Sequence, residues 1–265
     1  ITISETLFAN APEMRFIGLT ATGTDNIDLA AAKKHGVAVA NIRAYCTQSV
    51  VEHVFGCLLG LTHSLRDYAD DVRGGKWQGA GSFCMLTHPI DELSAMTLGI
   101  VGYGELGRAV ARIAAAFDME VIVAARPGSA DVPEGRVAFD ELLRRSDVIS
   151  LHCPLVDATR GLFGAAEFRR MKSSAILINT ARGALVDTRA LADALRSGDI
   201  AAAAIDVLPK EPPVDGDPLL DYAGSNLIVT PHIAWGTREA RQAGLDQLTA
   251  NIAAFLRGEE KNRVV

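Results

Sequence analysis

The sequence predicts an α/β protein whose larger part is a doubly wound parallel sheet. Three observations carry that prediction. An apolar run at residues 98–101 opens directly into Gly102-x-Gly104-x-x-Gly107. An Ala-rich helical pattern at 109–117 follows, and a second apolar run at 121–125 completes a β-α-β unit. From there to Thr230, short apolar runs alternate with helical patterns, the rhythm of parallel strands joined by crossover helices.

Taken in order, residues 16–20 read as a short strand ending in the polar turn 21–26. Asp25 or Asn26 is placed to cap a helix over 27–35, which Gly36 terminates. Residues 37–40 form the next strand, so the opening is a second β-α-β unit without the glycine fingerprint. Residues 48–73 read as one long amphipathic helix, with Val50, Val54, Cys57, Leu58, Leu61 and Leu65 at helical spacing. Its length suits a crossing between domains or packing in a dimer. The connection 74–92 carries Trp77, Phe83, Met85, His88 and Pro89. That is apolar for a loop and reads as a segment facing a partner or covering a site. Beyond Arg126, helices are expected at 140–145, 166–171 and 187–197, the last closed by Gly198. Strands are expected at 148–152, 175–179, 201–207 and 226–230.

A glycine-rich turn between a buried strand and a helix lets the backbone close around a pyrophosphate. The helix N-terminus then offers it free N–H groups. Gly102, Gly104 and Gly107, with Glu105 and Leu106 between them, are therefore candidate dinucleotide-binding residues. An acid about 20 residues after such glycines normally binds the ribose of NAD. Here the position reads Ala125-Arg126-Pro127. With the acid absent and the Arg126 guanidinium beside the gap, NADP(H) is the expected preference, with NAD(H) as the other cofactor.

Composition narrows the classes. The chain has 265 residues, 49% of them hydrophobic, enough for one large or two modest domains. A net charge of −6 argues against nucleic-acid and acidic-membrane partners. No run approaches the roughly 18 apolar residues of a membrane span. The four cysteines, Cys46, Cys57, Cys84 and Cys153, show no metal-ligand spacing, so no metal is expected. Reduced thiols and a cytoplasmic setting are expected.

In doubly wound sheets ligands sit at the carboxyl ends of strands. Three strand exits carry suitable chemistry: Arg182, Glu211 and His232. A histidine donates a proton near neutral pH, and a carboxylate on its second ring nitrogen fixes the tautomer. An arginine offers a planar fork to a substrate carboxylate. With a nicotinamide, this set suits reduction of a 2-keto acid.

The blocks Thr22-Gly-Thr-Asp-Asn-Ile-Asp28, Ser49-Val-Val-Glu-His53, Gly102-Tyr-Gly-Glu-Leu-Gly-Arg108, Leu151-His-Cys-Pro154 and Asn179-Thr-Ala-Arg-Gly183 stand in one order. Asp206-Val207, Glu211-Pro212 and Pro231-His-Ile-Ala234 follow. In this the chain resembles the D-isomer-specific 2-hydroxyacid dehydrogenases along nearly its whole length. The stretch 81–93 is most similar to the glycerate dehydrogenase (hydroxypyruvate reductase) members.

The resemblance implies a flavodoxin-like substrate domain at 1–46 and 234–265, with a Rossmann domain at 47–233 inserted in it. It implies that the N-terminal part of the substrate domain, preceding Ile1, is missing from this chain. It makes Arg182, Glu211 and His232 the catalytic trio, and the protein a homodimer built around the long helix. Backbone amides near Thr22 and Gly23 would help hold the substrate, with Arg182 and His232. Cys153, Pro154, Thr159, Thr180, Ala181, Asp206 and Ala234 would border the cofactor, Asp206 at the nicotinamide carboxamide. Arg43 and His88 are candidates for shaping the substrate pocket. The alternatives are a same-fold dehydrogenase acting on another small acid such as phosphite, and a non-catalytic nucleotide-sensing corepressor. Formate is disfavoured, because the formate enzymes of this group lack the glutamate that Glu211 supplies.

Overall fold

The structure is a computed structural model that describes residues 2–126 and 131–265. Ile1 and Pro127 of the sequence reading lie outside the described residues. The chain divides into two compact units, Ile1–Ser49 with Trp235–Val265, and Val50–Ala234.

In the smaller unit, α1 (Glu5–Asn10) precedes a parallel pair, β1 (Phe16–Gly18) and β2 (Ala38–Ala40), joined by α2 (Leu29–Lys34). The cap of α2 corrects the sequence expectation. Asp28, rather than Asp25 or Asn26, accepts the Ala31 N–H at 2.9 Å, because the helix begins two residues later than the pattern indicated. Phe8, Ile27, Ala32 and Val39 fill the core of this unit. The long C-terminal helix of the chain (Arg238–Leu256) lies on β1, with Phe255 stacked on Phe16 at 4.7 Å.

In the larger unit the expected long helix is two helices, α3 (Thr47–Thr62) and α4 (Leu65–Arg73). The Thr62 carbonyl, at the end of α3, accepts the Asp91 N–H at 3.0 Å. Ser64 adopts a left-handed conformation (φ 48°) and donates its hydroxyl to the Pro89 carbonyl. A hydrophobic period does not register such a break, and Leu65, counted on the apolar face, is exposed.

The remaining elements alternate: β3 (Thr97–Val101), α5 (Glu105–Ala116), β4 (Glu120–Val123), α6 (Phe139–Arg145), β5 (Val148–Leu151), α7 (Ala165–Phe168), β6 (Ile176–Asn179), α8 (Thr188–Ser197), β7 (Ala202–Ile205) and β8 (Leu227–Val229). The C-terminal helix is α9. Six strands form one parallel sheet in the order β4-β3-β5-β6-β7-β8. A parallel bridge from Ala124 to Val137 extends it past β4. Strands β5, β6 and β7 are buried along their whole length, as expected when helices cover both faces of a parallel sheet. The strand order reverses between β3 and β5, which is where such folds bind ligands.

Candidate active site

The glycine fingerprint lies at this reversal, between β3 and α5. Gly102 has φ 94°, a left-handed conformation that glycine adopts at no steric cost. A Cβ on it would collide with the backbone of His152 and Cys153 at the exit of β5. Gly107, in the first turn of α5, sits so close that a Cβ would strike the Gly102 carbonyl oxygen. At Gly104, the α5 N-cap, a Cβ would meet nothing within 4 Å. Gly107 thus closes α5 on the end of β3, Gly102 closes that end on the β5 exit, and Gly104 leaves open room before the α5 N-terminus, where Glu105 and Leu106 begin the helix. An open cradle at a helix N-terminus fits a pyrophosphate. At the exit of β6, Thr180 presents an enclosed hydroxyl without a hydrogen-bond partner among the described residues, a further polar group for a bound dinucleotide to meet. The residues present therefore fit such a cofactor.

At the end of β4, Ala125 is buried and Arg126 exposed. Neither carries an acid. The Arg136 guanidinium lies over the ring of Tyr103, inside the fingerprint, at 4.8 Å from its centroid. The Pro154–Thr159 loop closes on itself, since the Thr159 hydroxyl donates to the Pro154 carbonyl (2.7 Å) and accepts the Val156 N–H (2.9 Å). Burial pushes the Cys153 thiol up to about 11 and holds the neighbouring His152 imidazole down at about 4. Both groups are therefore uncharged at neutral pH.

Arg182, Glu211 and His232 leave three adjacent strands, β6, β7 and β8. Asn179, fully buried at the end of β6, shapes the first exit: its amide donates to the Arg182 carbonyl and its oxygen accepts the Ala181 N–H, both at 3.0 Å. Gly183 then brings this exit against the next, for a Cβ there would collide with the backbone of Leu208 and Pro209. The Leu208 N–H in turn donates to Glu211 Oε1 at 2.8 Å. The other Glu211 oxygen stands 2.6 Å from His232 Nδ1. The imidazole is thus held at Nδ1 by a carboxylate, which fixes the orientation of the ring. His232 itself is left-handed (φ 55°), an uncommon conformation for a residue with a side chain.

Residues 55–234 match the family described as D-isomer specific 2-hydroxyacid dehydrogenase, NAD binding domain. The chain is 46% identical over 255 residues to a glycerate dehydrogenase from Methylorubrum extorquens, covering 96% of this chain and 79% of that protein. It is 38% identical over 261 residues to a hydroxypyruvate reductase from Blautia hydrogenotrophica, covering 97% and 80%. Among solved structures, an acyclic imino acid reductase in complex with NADPH and D-Arg superimposes with a TM-score of 0.87 at 29% identity, covering 100% and 83%.

This chain belongs to the D-isomer-specific 2-hydroxyacid dehydrogenases.

In this dehydrogenase two further side chains stand near the trio, Asn179 and His53. Asn179 pins the Arg182 exit. His53, on α3, reaches Thr230 Oγ1 at 3.1 Å. Neither carries a local signal, because each acts on residues distant in sequence or on backbone groups. Asp206 is only 2% exposed and its carboxylate turns into its own neighbourhood, accepting from Thr230, Ile233 and Ala234. Ala234 is buried there. Of the pocket candidates, His88 is bound to Asp71 at 2.9 Å and packs edge-on against Tyr68. Arg43 Nε donates to Asn41. Thr22 and Gly23 follow β1 in the smaller unit, where the Thr22 carbonyl accepts from Asn41 at 2.8 Å.

Proposed function

We propose that this protein reduces a small 2-keto acid, hydroxypyruvate or glyoxylate, to the D-2-hydroxy acid, with NADPH preferred over NADH. The observation that carries the chemistry is the 2.6 Å contact between Glu211 and His232 at the exits of β7 and β8. The names of the relatives support the substrate class. When bound, the reduced nicotinamide supplies a hydride to the carbonyl carbon. His232 delivers the proton from Nε2 to the oxygen, which becomes the hydroxyl. Glu211, on Nδ1, stabilises the imidazolium form that serves as acid, and Arg182 grips the substrate carboxylate and polarises the carbonyl. The assignment of Thr22 and Gly23 to substrate stays a proposal resting on the family resemblance.

The NADPH preference is supported by Ala125 and the exposed Arg126, where an acid would repel the 2′-phosphate. We assign the substrate-domain role to the smaller unit and the cofactor-domain role to the larger. A homodimer is proposed from the apolar surface of α4 and the segment after it, where Phe83 is 89% and Leu86 80% exposed and Leu65, Val72 and Trp77 join them. A cytoplasmic setting is proposed from the few cysteines in a chain of this length; no helix among the described residues is long and apolar enough to cross a membrane.

The test is loss of nicotinamide absorbance with hydroxypyruvate and with glyoxylate, using NADPH and NADH in parallel. Turnover faster with NADPH, abolished in His232→Asn with cofactor binding kept, is the expected result. Turnover favouring NADH would remove the phosphate argument. Cofactor binding without turnover of either keto acid would overturn the reductase reading and favour the phosphite or sensor alternatives.

A further inference from the structure

We propose that His53 is a positioning residue for His232, acting through the Thr230 hydroxyl and the Asp206 carboxylate. The inference rests on the reading of His232 as the proton donor.

Three consecutive backbone N–H groups of the turn that carries His232 donate to one residue, Asp206. The main-chain carbonyl of Asp206 accepts the His232 N–H at 2.7 Å. Its side chain accepts the next two N–H groups in line, Ile233 at Oδ1 and Ala234 at Oδ2, both at 2.9 Å. Residues 232–234 are thus fixed by both ends of Asp206. This matters because a left-handed histidine is disfavoured by roughly 1–3 kcal/mol and persists only where its surroundings over-determine it.

The Asp206 carboxylate is oriented in its turn by Thr230, whose hydroxyl lies 2.5 Å from Oδ1. A carboxylate can only accept, so the single Thr230 hydrogen points at Asp206. The Thr230 oxygen is then left to accept, and the donor at 3.1 Å is His53 Nε2. That assigns the proton of His53 to Nε2 and gives the relay one direction, His53 to Thr230 to Asp206 to the 232–234 turn. His53 Nε2 also stands 3.8 Å from Asp206 Oδ1, so it faces the carboxylate as well as the hydroxyl. One turn further along α3, the Cys57 thiol is pushed up to about 11, first by burial and then by the charge of Asp206. At Gly60 a Cβ would come to 3.8 Å from the Ile228 side chain. One face of α3 therefore runs along β8 and the β7 exit, and His53 is where that face meets the catalytic turn.

The test uses the full chain with NADPH and the keto acid that it turns over. His53→Leu removes the donor, His53→Gln retains an amide donor, and Thr230→Val removes the middle member without touching α3. We expect kcat in His53→Leu and in Thr230→Val to fall about tenfold, the effect of one ordinary hydrogen bond lost to the transition state. The dissociation constant for NADPH should change less than kcat, since the glycine cradle is untouched and only the Asp206 end of the cofactor site is perturbed. His53→Gln should recover most of the loss, and His53→Leu/Thr230→Val should be no worse than Thr230→Val alone. Additive losses in the double variant, an unchanged kcat in His53→Leu, or a His53→Gln as impaired as His53→Leu would each overturn the relay. His53→Gln and Thr230→Val decide the matter if His53→Leu does not fold. His232→Asn runs alongside: if it remains active the reading of the site fails, whereas an inert His232→Asn beside an unaffected His53→Leu removes the relay alone.

Discussion

The last two glycines of the fingerprint are expected to fail differently when each is replaced by alanine. At Gly107 the new methyl would be driven into the Gly102 carbonyl oxygen and would press on Ile100 Cγ2 at 3.2 Å. Alanine in a helix interior is favoured over glycine by about 1 kcal/mol. Overpacking against backbone that cannot yield costs about 1–3 kcal/mol. The clash outweighs that gain, and a net loss of up to about 2 kcal/mol remains, or a few degrees in melting temperature for a unit of this size. Displacing α5 from β3 also moves its N-terminal N–H groups, so NADPH affinity falls with stability. At Gly104 the methyl enters open space and its φ of −74° suits alanine, so the fold is unaffected. The methyl would, however, occupy the room in front of the helix N-terminus that the pyrophosphate needs. Gly104→Ala should therefore melt within about a degree of the parent while losing NADPH affinity about tenfold or more. Thermal unfolding and fluorescence titration with NADPH measure both quantities on the same samples. If Gly107→Ala proves more stable than the parent, the close helix–strand approach is refuted. If Gly104→Ala binds NADPH normally, the open cradle is not where the pyrophosphate sits.

Further outcomes are expected. Arg182→Lys keeps the charge but loses the planar fork, so KM for the keto acid should rise about tenfold with NADPH binding unchanged; an unaltered KM in steady-state assays would contradict the carboxylate grip. Because burial lowers the His152 value from 6.5 to about 4, the folded state binds this proton less readily than the unfolded chain. The stability involved is intact above about pH 6.5 and drains away as the pH falls towards 4, by about 2 kcal/mol at pH 5. Denaturant unfolding at pH 5 and pH 7.5 should show that difference in the parent and a smaller one in His152→Gln; equal slopes in both would refute it. With iodoacetamide at neutral pH, exposed Cys84 should be alkylated well before Cys57 and Cys153, whose thiols burial raises to about 11. Mass spectrometry that found Cys153 labelled as fast would contradict its burial. Finally, Phe83→Glu with Leu86→Glu should lower the molar mass measured by light scattering if that face joins two subunits; an unchanged mass would place the dimer elsewhere or nowhere.

How much of this was legible in the sequence depended on how local the physics is. The glycine turn, the alternation of short apolar runs with helices, and the strand exits bearing Arg182, Glu211 and His232 are set by neighbouring residues. Each could therefore be placed from spacing alone, and the structure puts Glu211 and His232 in contact. The break at Ser64 was not legible, because the groups that meet the chain there, the Asp91 N–H and the Pro89 carbonyl, come from across a loop. Nor could the sequence tell that the Asp206 carboxylate turns towards the loop that leaves β8, or that Asn179 shapes the exit that carries Arg182.

By itself, then, the sequence determined the class of fold and located the glycine turn and the candidate side chains at the strand exits. Their periodicity and turn chemistry are read over a few residues. Only the tertiary structure decided the strand order that sets β6, β7 and β8 side by side, and the placement of His53 against Thr230. Those contacts join residues up to 177 positions apart in the chain. Hydrogen-bond partners at that separation are chosen by packing, which no local pattern encodes.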